Sequence, residues 1–108
     1  KPLAERQAIQ WKLVDMYTDI QSLRALTYQM AARYDQGEDI RVEAGLIKLT
    51  SMDWGARCLD HGIQIHGAMG ESLELPLTLF YRYLRHGQIG GGTSEIQRMQ
   101  IARKLLKD

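Results

Sequence analysis

Apolar residues recur at spacings of three and four along most of the chain, which is the period of an α-helix. Ile9, Leu13, Met16, Ile20, Leu23, Leu26, Met30 and Tyr34 mark one face of a first helix, predicted over Ala4 to Tyr34. Glu5, Lys12, Asp15, Asp19 and Arg33 are predicted to face away from it. Pro2 stands before the helix, where its missing N–H costs little. Asp35-Gln36-Gly37 supplies the stop, because Gly37 can turn left-handed past a helix end. A second helix is predicted over Asp39 to Ile65, with Asp39 as its N-cap. Ala44, Ile47, Ser51, Trp54, Cys58, Gly62 and Ile65 form one stripe of it; Leu46, Leu49, Met52, Ala56, Leu59 and Ile63 form another. A helix apolar on more than one face is buried by several neighbours. The short connection predicts that the two long helices pack antiparallel.

His66-Gly67-Ala68-Met69-Gly70 breaks the second helix, and a loop is predicted from there to Pro76. Pro76 suits the first turn of a short third helix running to Arg85, with Leu77, Phe80 and Leu84 on one side. Gly90-Gly91-Gly92 is a second break. The last helix starts at Thr93-Ser94, where Ser94 and Gln97 match the S-x-x-Q capping box. Ile96, Met99, Ala102 and Leu106 are its predicted buried face; Arg98, Arg103, Lys104 and Lys107 are its wet face. No segment has strand periodicity. The predicted fold class is all-α: an antiparallel helical bundle of two long helices and two shorter ones. The second helix has more apolar surface than two short helices can cover, so an upstream element or a partner chain is expected to cover the remainder.

Composition narrows the function. A chain of 108 residues makes one domain and is too short for two. Fourteen Lys+Arg against thirteen Asp+Glu leave +1, without the basic excess of a nucleic-acid binder. The 44% hydrophobic content suits a globular fold. Cys58 is the single cysteine, which excludes an intrachain disulfide and a multi-cysteine metal site. It fits a reducing compartment, the cytoplasm or the mitochondrial matrix. No apolar run approaches the ~20 residues that span a bilayer, and no signal-peptide pattern opens the chain. The sequence starts at Lys1 rather than Met, so it is expected to be a piece of a longer chain.

Few residues carry chemistry by spacing alone. Gly90-Gly91-Gly92-Thr93-Ser94 opens a helix, where free N–H groups can receive an anion. The spacing matches neither the P-loop nor the dinucleotide fingerprint, so alone it favours a flexible connector and a capped helix. His61 and His66 are five apart and lack the helical spacing or third ligand of a zinc site. Cys58 lies in an apolar stripe and reads as an inert thiol. Trp11 and Trp54 read as packing residues rather than a cofactor platform.

The order of several segments is more specific. Gln64-Ile65-His66-Gly67-Ala68-Met69-Gly70, Glu74-Leu75-Pro76, Tyr81-Arg82, Gln88-Ile89-Gly90-Gly91-Gly92-Thr93-Ser94-Glu95-Ile96-Gln97-Arg98 and Ile101-Ala102-Arg103 together resemble the C-terminal signature of the acyl-CoA dehydrogenases. Lys1-Pro2-Leu3 and Gln7-Ala8-Ile9 resemble the start of the same domain. The resemblance implies the third, helical domain of a flavoenzyme that also has an N-terminal helical domain and a middle β domain. It implies FAD as cofactor and an acyl-CoA thioester, fatty or branched, as substrate. A glutamate would remove the α-proton while the β-hydrogen leaves as hydride, and an electron-transferring flavoprotein would take the electrons onward. A dimer or tetramer is implied. Carried over by position, Gln7 matches a flavin-contacting glutamine. Gln64, Ile65, His66, Gly67 and Ala68 match a segment against the adenosine and pyrophosphate end of a neighbouring subunit's FAD. Thr93, Ser94 and Glu95 match a second flavin-contacting segment, and Gly92 a glycine near the thioester.

Three positions depart from the pattern. Gly91 stands where many members carry the catalytic glutamate, so the base is expected upstream, on the domain's first helix, as in the isovaleryl and long-chain types. Ala68 replaces a frequent glycine and narrows the approach to FAD. Tyr83, rather than Asp, follows Tyr81-Arg82. An acyl-CoA oxidase or flavin monooxygenase of the same fold, an inactive relative, and a non-catalytic helical interaction module remain the alternatives.

Overall fold

The structure, a computed structural model, describes residues 1–107. It is all-helical among these residues: a short 3-10 turn, Leu3–Glu5, then α1 (Gln7–Asp35), α2 (Arg41–His66), α3 (Ala68–Glu71), α4 (Leu77–Gly87) and α5 (Ser94–Leu105). The expected pair of long helices is present, with α4 and α5 as the shorter ones. α2 is the hub. It packs against α1, α3, α4 and α5, whereas α1 meets no other α-helix and α4 does not touch α5. Glycines on α2 bring α4 and α5 close. A Cβ at Gly55 would lie 2.7 Å from Leu84 Cδ1, and one at Gly45 would lie 2.5 Å from Gln97 Oε1.

α1 and α2 run antiparallel, as the short Gln36–Ile40 connection requires. Arg57 of α2 grips Asp19 of α1, with Nη2 2.7 Å from Oδ1 and Nε 3.0 Å from Oδ2. Arg33 of α1 meets Glu43 of α2 at 3.8 Å. These pairs correct the predicted face. Asp19 and Arg33 are half-buried toward α2 and Lys12 is half-buried as well, while Leu13, Ile20 and Tyr34 are exposed. A guanidinium that spans the helix interface rotates α1 so that its charged stripe edge, not every apolar position, faces inward.

Helix ends also differ from the expected ones. Arg6, extended at φ −86° and ψ 124°, separates the 3-10 turn from α1, so α1 begins at Gln7 rather than Ala4. Ile40 is the N-cap residue of α2, but the Asp39 carboxylate still accepts from the Arg41 N–H at 3.1 Å and holds the Arg41 guanidinium. The cap of α5 is Thr93, whose Oγ1 accepts from the Ile96 N–H at 3.2 Å. Ser94 is instead the first helical residue and is buried, and the Gln97 side chain is buried against Gly45. α3 forms where a loop is expected. Gly67, at φ 60° and ψ −141°, turns the chain sharply, and the Gly70 N–H donates to its carbonyl at 2.9 Å.

The uncovered apolar surface lies elsewhere than predicted. No exposed large hydrophobic residue lies on α2. Trp11, Leu13, Val14, Tyr17, Ile20, Tyr28 and Tyr34 are exposed on α1. On α5 the predicted inner face is the outer one. Ile96 and Met99 are exposed, Leu106 just past its end is 82% exposed, and Ser94, Gln97, Ile101 and Lys104 turn toward α2. Only Met30 and Ala56 are buried apolar residues among those described. The accessible surface is 7967 Å², against about 6,100 Å² for a compact monomer of this mass. The radius of gyration is 16.7 Å, against about 13 Å for a compact domain of this length. These helices therefore present surface that a compact monomer would bury.

Candidate functional site

The predicted site residues fall at opposite ends of α2. At its C-terminal end, Gln64 and Ile65 finish the helix and His66 donates from Nδ1 to the Gly62 carbonyl at 2.7 Å. That bond fixes the ring and leaves Nε2 as its free nitrogen. Gly67 and Ala68 are exposed at the turn into α3. α3 then folds back onto α2, so closely that a Cβ at Gly70 would sit 2.5 Å from the Ile63 carbonyl oxygen and 2.9 Å from Ile63 Cα. Ile63, Gln64, Gly67, Ala68 and Glu71 line a shallow recess there. Gln7 belongs to the same end. The antiparallel pairing of Asp19 with Arg57 and of Arg33 with Glu43 puts the start of α1 level with the end of α2.

The second predicted segment lies near the start of α2, at Lys48. From Lys48 to His66 a helix rises about 27 Å, so the fold does not gather Gln7, Gln64–Ala68 and Thr93–Glu95 into one pocket within this chain. Between α4 and α5 the chain passes through Gly90, Gly91 and Gly92. Gly91 has φ 65° and Gly92 φ 98°, a left-handed pair that side-chain-bearing residues resist. The loop closes through the Ser94 N–H, which donates to the Gln88 carbonyl at 2.9 Å, and the Gly90 N–H, which donates to His86 at 2.8 Å. The N–H groups of Gly91, Gly92 and Thr93 have no partner among the described residues. Successive N–H groups in such a left-handed turn, ahead of a helix, form a concavity suited to an electron-rich atom.

Lys48 is the residue that sequence reading missed. Its ammonium, half-buried on α2, donates to the Gly90 carbonyl at 2.6 Å and to the Gly92 carbonyl. The only available signal is one lysine between Ile47 and Leu49 inside an otherwise apolar run. Glu95 is exposed, and its carboxyl is held below the ordinary value by its own backbone N–H and then by Thr93, with Arg98 and Arg85 adding to the effect. That direction suits an anion that stays charged and disfavours a proton-abstracting base, which works best with a raised pKa. Burial, and then Asp19, pushes the Cys58 thiol up and keeps it protonated. Neither His61 nor His66 joins a group of three metal-ligating side chains among the described residues, and no helix there is long and apolar enough to cross a membrane.

Comparison with known proteins gives one answer. The family model described as acyl-CoA dehydrogenase, C-terminal domain, matches residues 1–106. The mitochondrial short-chain specific acyl-CoA dehydrogenase of Bos taurus is 40% identical over 106 residues, which is 98% of this chain and 26% of that protein. The solved structure of butyryl-CoA dehydrogenase from Megasphaera elsdenii superposes with a TM-score of 0.94 at 34% identity, over 99% of this chain and 28% of that one. A structure described as the FAD complex of PigA superposes with a TM-score of 0.91 at 27% identity, over 97% and 27% of the two chains. The chain thus spans about a quarter of the length of the curated relatives it matches. By sequence over nearly its whole length and by fold, the chain belongs to the acyl-CoA dehydrogenase family, whose C-terminal domain it matches.

Proposed function

We propose that this chain is the C-terminal helical domain of a larger FAD-dependent acyl-CoA dehydrogenase, which removes hydrogen from the α and β carbons of an acyl-CoA thioester. The observation that carries the reading is the Gly90–Glu95 segment. It combines the family's motif with three N–H groups, those of Gly91, Gly92 and Thr93, that have no partner among the described residues. Such donors fit the electron-rich edge of a flavin or a thioester oxygen. Thr93 and Glu95 offer polar groups to the flavin, and Gly92 leaves room for the thioester. Ser94 contributes through the backbone geometry it fixes, since its side chain is buried.

Gln7, Gln64, Ile65, His66, Gly67 and Ala68 form a second contact surface, toward the FAD of a neighbouring subunit. The roughly 27 Å between the two segments along α2 supports assignment to two different flavins. It also supports an oligomer, dimer or tetramer, as the functional unit. The exposed α1 face of Leu13, Val14, Tyr17 and Ile20 supports this, because a lone subunit would leave it in water. The chemistry that FAD supplies when bound is acceptance of the hydride from the β-carbon. The carboxylate that takes the α-proton stands upstream, on the domain's first helix, since position 91 is glycine and the shift of Glu95, below its ordinary value, does not favour a base. Electrons then pass to an electron-transferring flavoprotein, in the cytoplasm or the mitochondrial matrix.

The test uses the intact parent protein. Its visible spectrum is recorded anaerobically and acyl-CoA thioesters are added in turn. Bleaching of a bound flavin by one of them is the expected result. A purified protein that holds no flavin, and takes none up when FAD is supplied, overturns the reading.

A further inference from the structure

We propose that Lys48 is a positioning residue for the Gly90–Thr93 loop, aiming and polarising the backbone N–H groups that face the flavin and the thioester. The inference rests on the reading of that loop given above. The Lys48 ammonium has no carboxylate within 4.0 Å among the described residues. It binds the carbonyls of Gly90 and Gly92 instead, reaching across 42 and 44 residues of sequence. A trans peptide group points its C=O and its N–H in opposite directions. Drawing the Gly90 and Gly92 carbonyls toward α2 therefore turns the Gly91 and Thr93 N–H groups away from it. Two carbonyls separated by one residue reach the same cation here because Gly91 and Gly92 are both left-handed.

The charge matters beyond the geometry. A cation on a carbonyl draws electron density along the peptide group and strengthens the N–H at its other end as a donor. A half-buried ammonium without a counter-ion is costly unless its surroundings supply negative potential. The two carbonyls supply part of it, and electron-rich ligand atoms beyond the loop would supply more. Lys48 touches no reacting atom, so its influence passes through Gly91 and Thr93.

The experiment compares the full-length parent protein with three variants: Lys48→Met, Lys48→Arg and Arg57→Met. Arg57→Met breaks the Arg57–Asp19 ion pair between α1 and α2 and controls for general loss of stability. Two quantities are measured: flavin affinity by fluorescence on dilution, and amide hydrogen exchange of the 90–94 segment in flavin-free protein. Lys48→Met is expected to weaken flavin binding about ten- to a hundredfold, the loss that accompanies a charge-assisted hydrogen bond. It should speed exchange at Gly90 and Ser94, whose N–H groups close the loop, with α1 unchanged. Lys48→Arg, which keeps the charge and the donors, should recover most of the affinity. Arg57→Met should lower thermal stability and leave flavin affinity within about twofold, as expected for a distant independent site. Wild-type affinity and wild-type exchange in Lys48→Met overturn the proposal and leave the flavin reading intact. So does a loss matched by Arg57→Met at equal loss of stability, which would make the role merely structural. A parent that binds no flavin defeats the functional reading instead. In that case unchanged exchange in Lys48→Met overturns the Lys48 geometry separately.

Discussion

The two ends of α2 are built by different means. At the His66–Gly70 end, backbone meets backbone: Gly67 turns the chain, and Gly70 lets α3 rest directly on the Ile63 carbonyl. At the Lys48 end, side chains do the joining. Lys48 holds the glycine loop, Lys104 of α5 pairs with Glu43 of α2, and Arg98 of α5 meets Asp53 at 3.1 Å. The carboxyls whose pKa values are drawn down, Asp39, Glu43 and Glu95, all belong to this second end. A backbone contact has no give and no charge. A side-chain clamp adapts, and it responds to pH and salt.

The largest effect expected from this contrast is that of Gly70→Ala. The new Cβ would meet backbone atoms at 2.5 and 2.9 Å, which cannot rotate away. Overpacking of this kind should cost about 3 kcal/mol or more, read by denaturant unfolding of the intact protein. A loss under about 1 kcal/mol would mean that α3 shifts freely, and the contrast between the ends would fail. Next is the glycine loop. Gly92→Ala combines left-handed strain with a contact at 2.8 Å to Gln97 Nε2, the movable end of a side chain. Gly91→Ala carries the strain alone, since nothing but Lys48 lies within 4 Å of the new atom. We expect about 2 kcal/mol for the first and about 1 kcal/mol for the second. Equal losses would show that Gln97 yields without cost. Gly91→Glu carries the same strain as Gly91→Ala, so restoring a carboxylate at that position would not be neutral for stability.

The smallest effect is on acid stability. Asp39 is lowered to about 2, first by the Arg41 side chain. Glu43 is lowered first by Lys104, and Glu95 first by its own N–H. A carboxyl with a lower pKa in the folded state contributes fully above its unfolded value and loses that contribution as the pH falls. The contributions of Glu43 and Glu95 should therefore be complete above about pH 4.5 and fade below it. That of Asp39 fades below about pH 3.8 and is gone only below about 2. Hydrogen exchange across this range should rise first in α5 and at the start of α2, ahead of the α2–α3 corner. Glu43→Gln should flatten the response in α5. Faster exchange at Gly67–Glu71 than in α5 on acidification would break the comparison.

How much of this was readable from the sequence depends on how far apart the interacting residues lie in it. Helix positions follow from local periodicity, and the breaks at Gly37, Gly67 and Gly90–Gly92 follow from residues that stop helices whatever surrounds them. The family followed as well, because its motifs are short, ordered and local. The first helix's charged positions misled. Lys12, Asp19 and Arg33 look like solvent-facing residues until Arg57 and Glu43 are known to lie opposite two of them. α5 misled more: its apolar stripe of Ile96 and Met99 points outward, toward whatever completes the molecule, while Gln97 and Lys104 reach α2.

The sequence by itself determined the helical class, the order and approximate length of the four longer helices, and the family, because these depend on propensity, period and motif within a few turns. Only the tertiary structure decided that α2 is the hub, that the uncovered apolar face belongs to α1, and that the Gln64–Ala68 and Thr93–Glu95 segments stand toward opposite ends of one helix. Only it placed Lys48 beneath the glycine loop. The reason is that a lysine's role is set by what the fold brings within 3 Å of its ammonium, and here those carbonyls lie more than forty residues away.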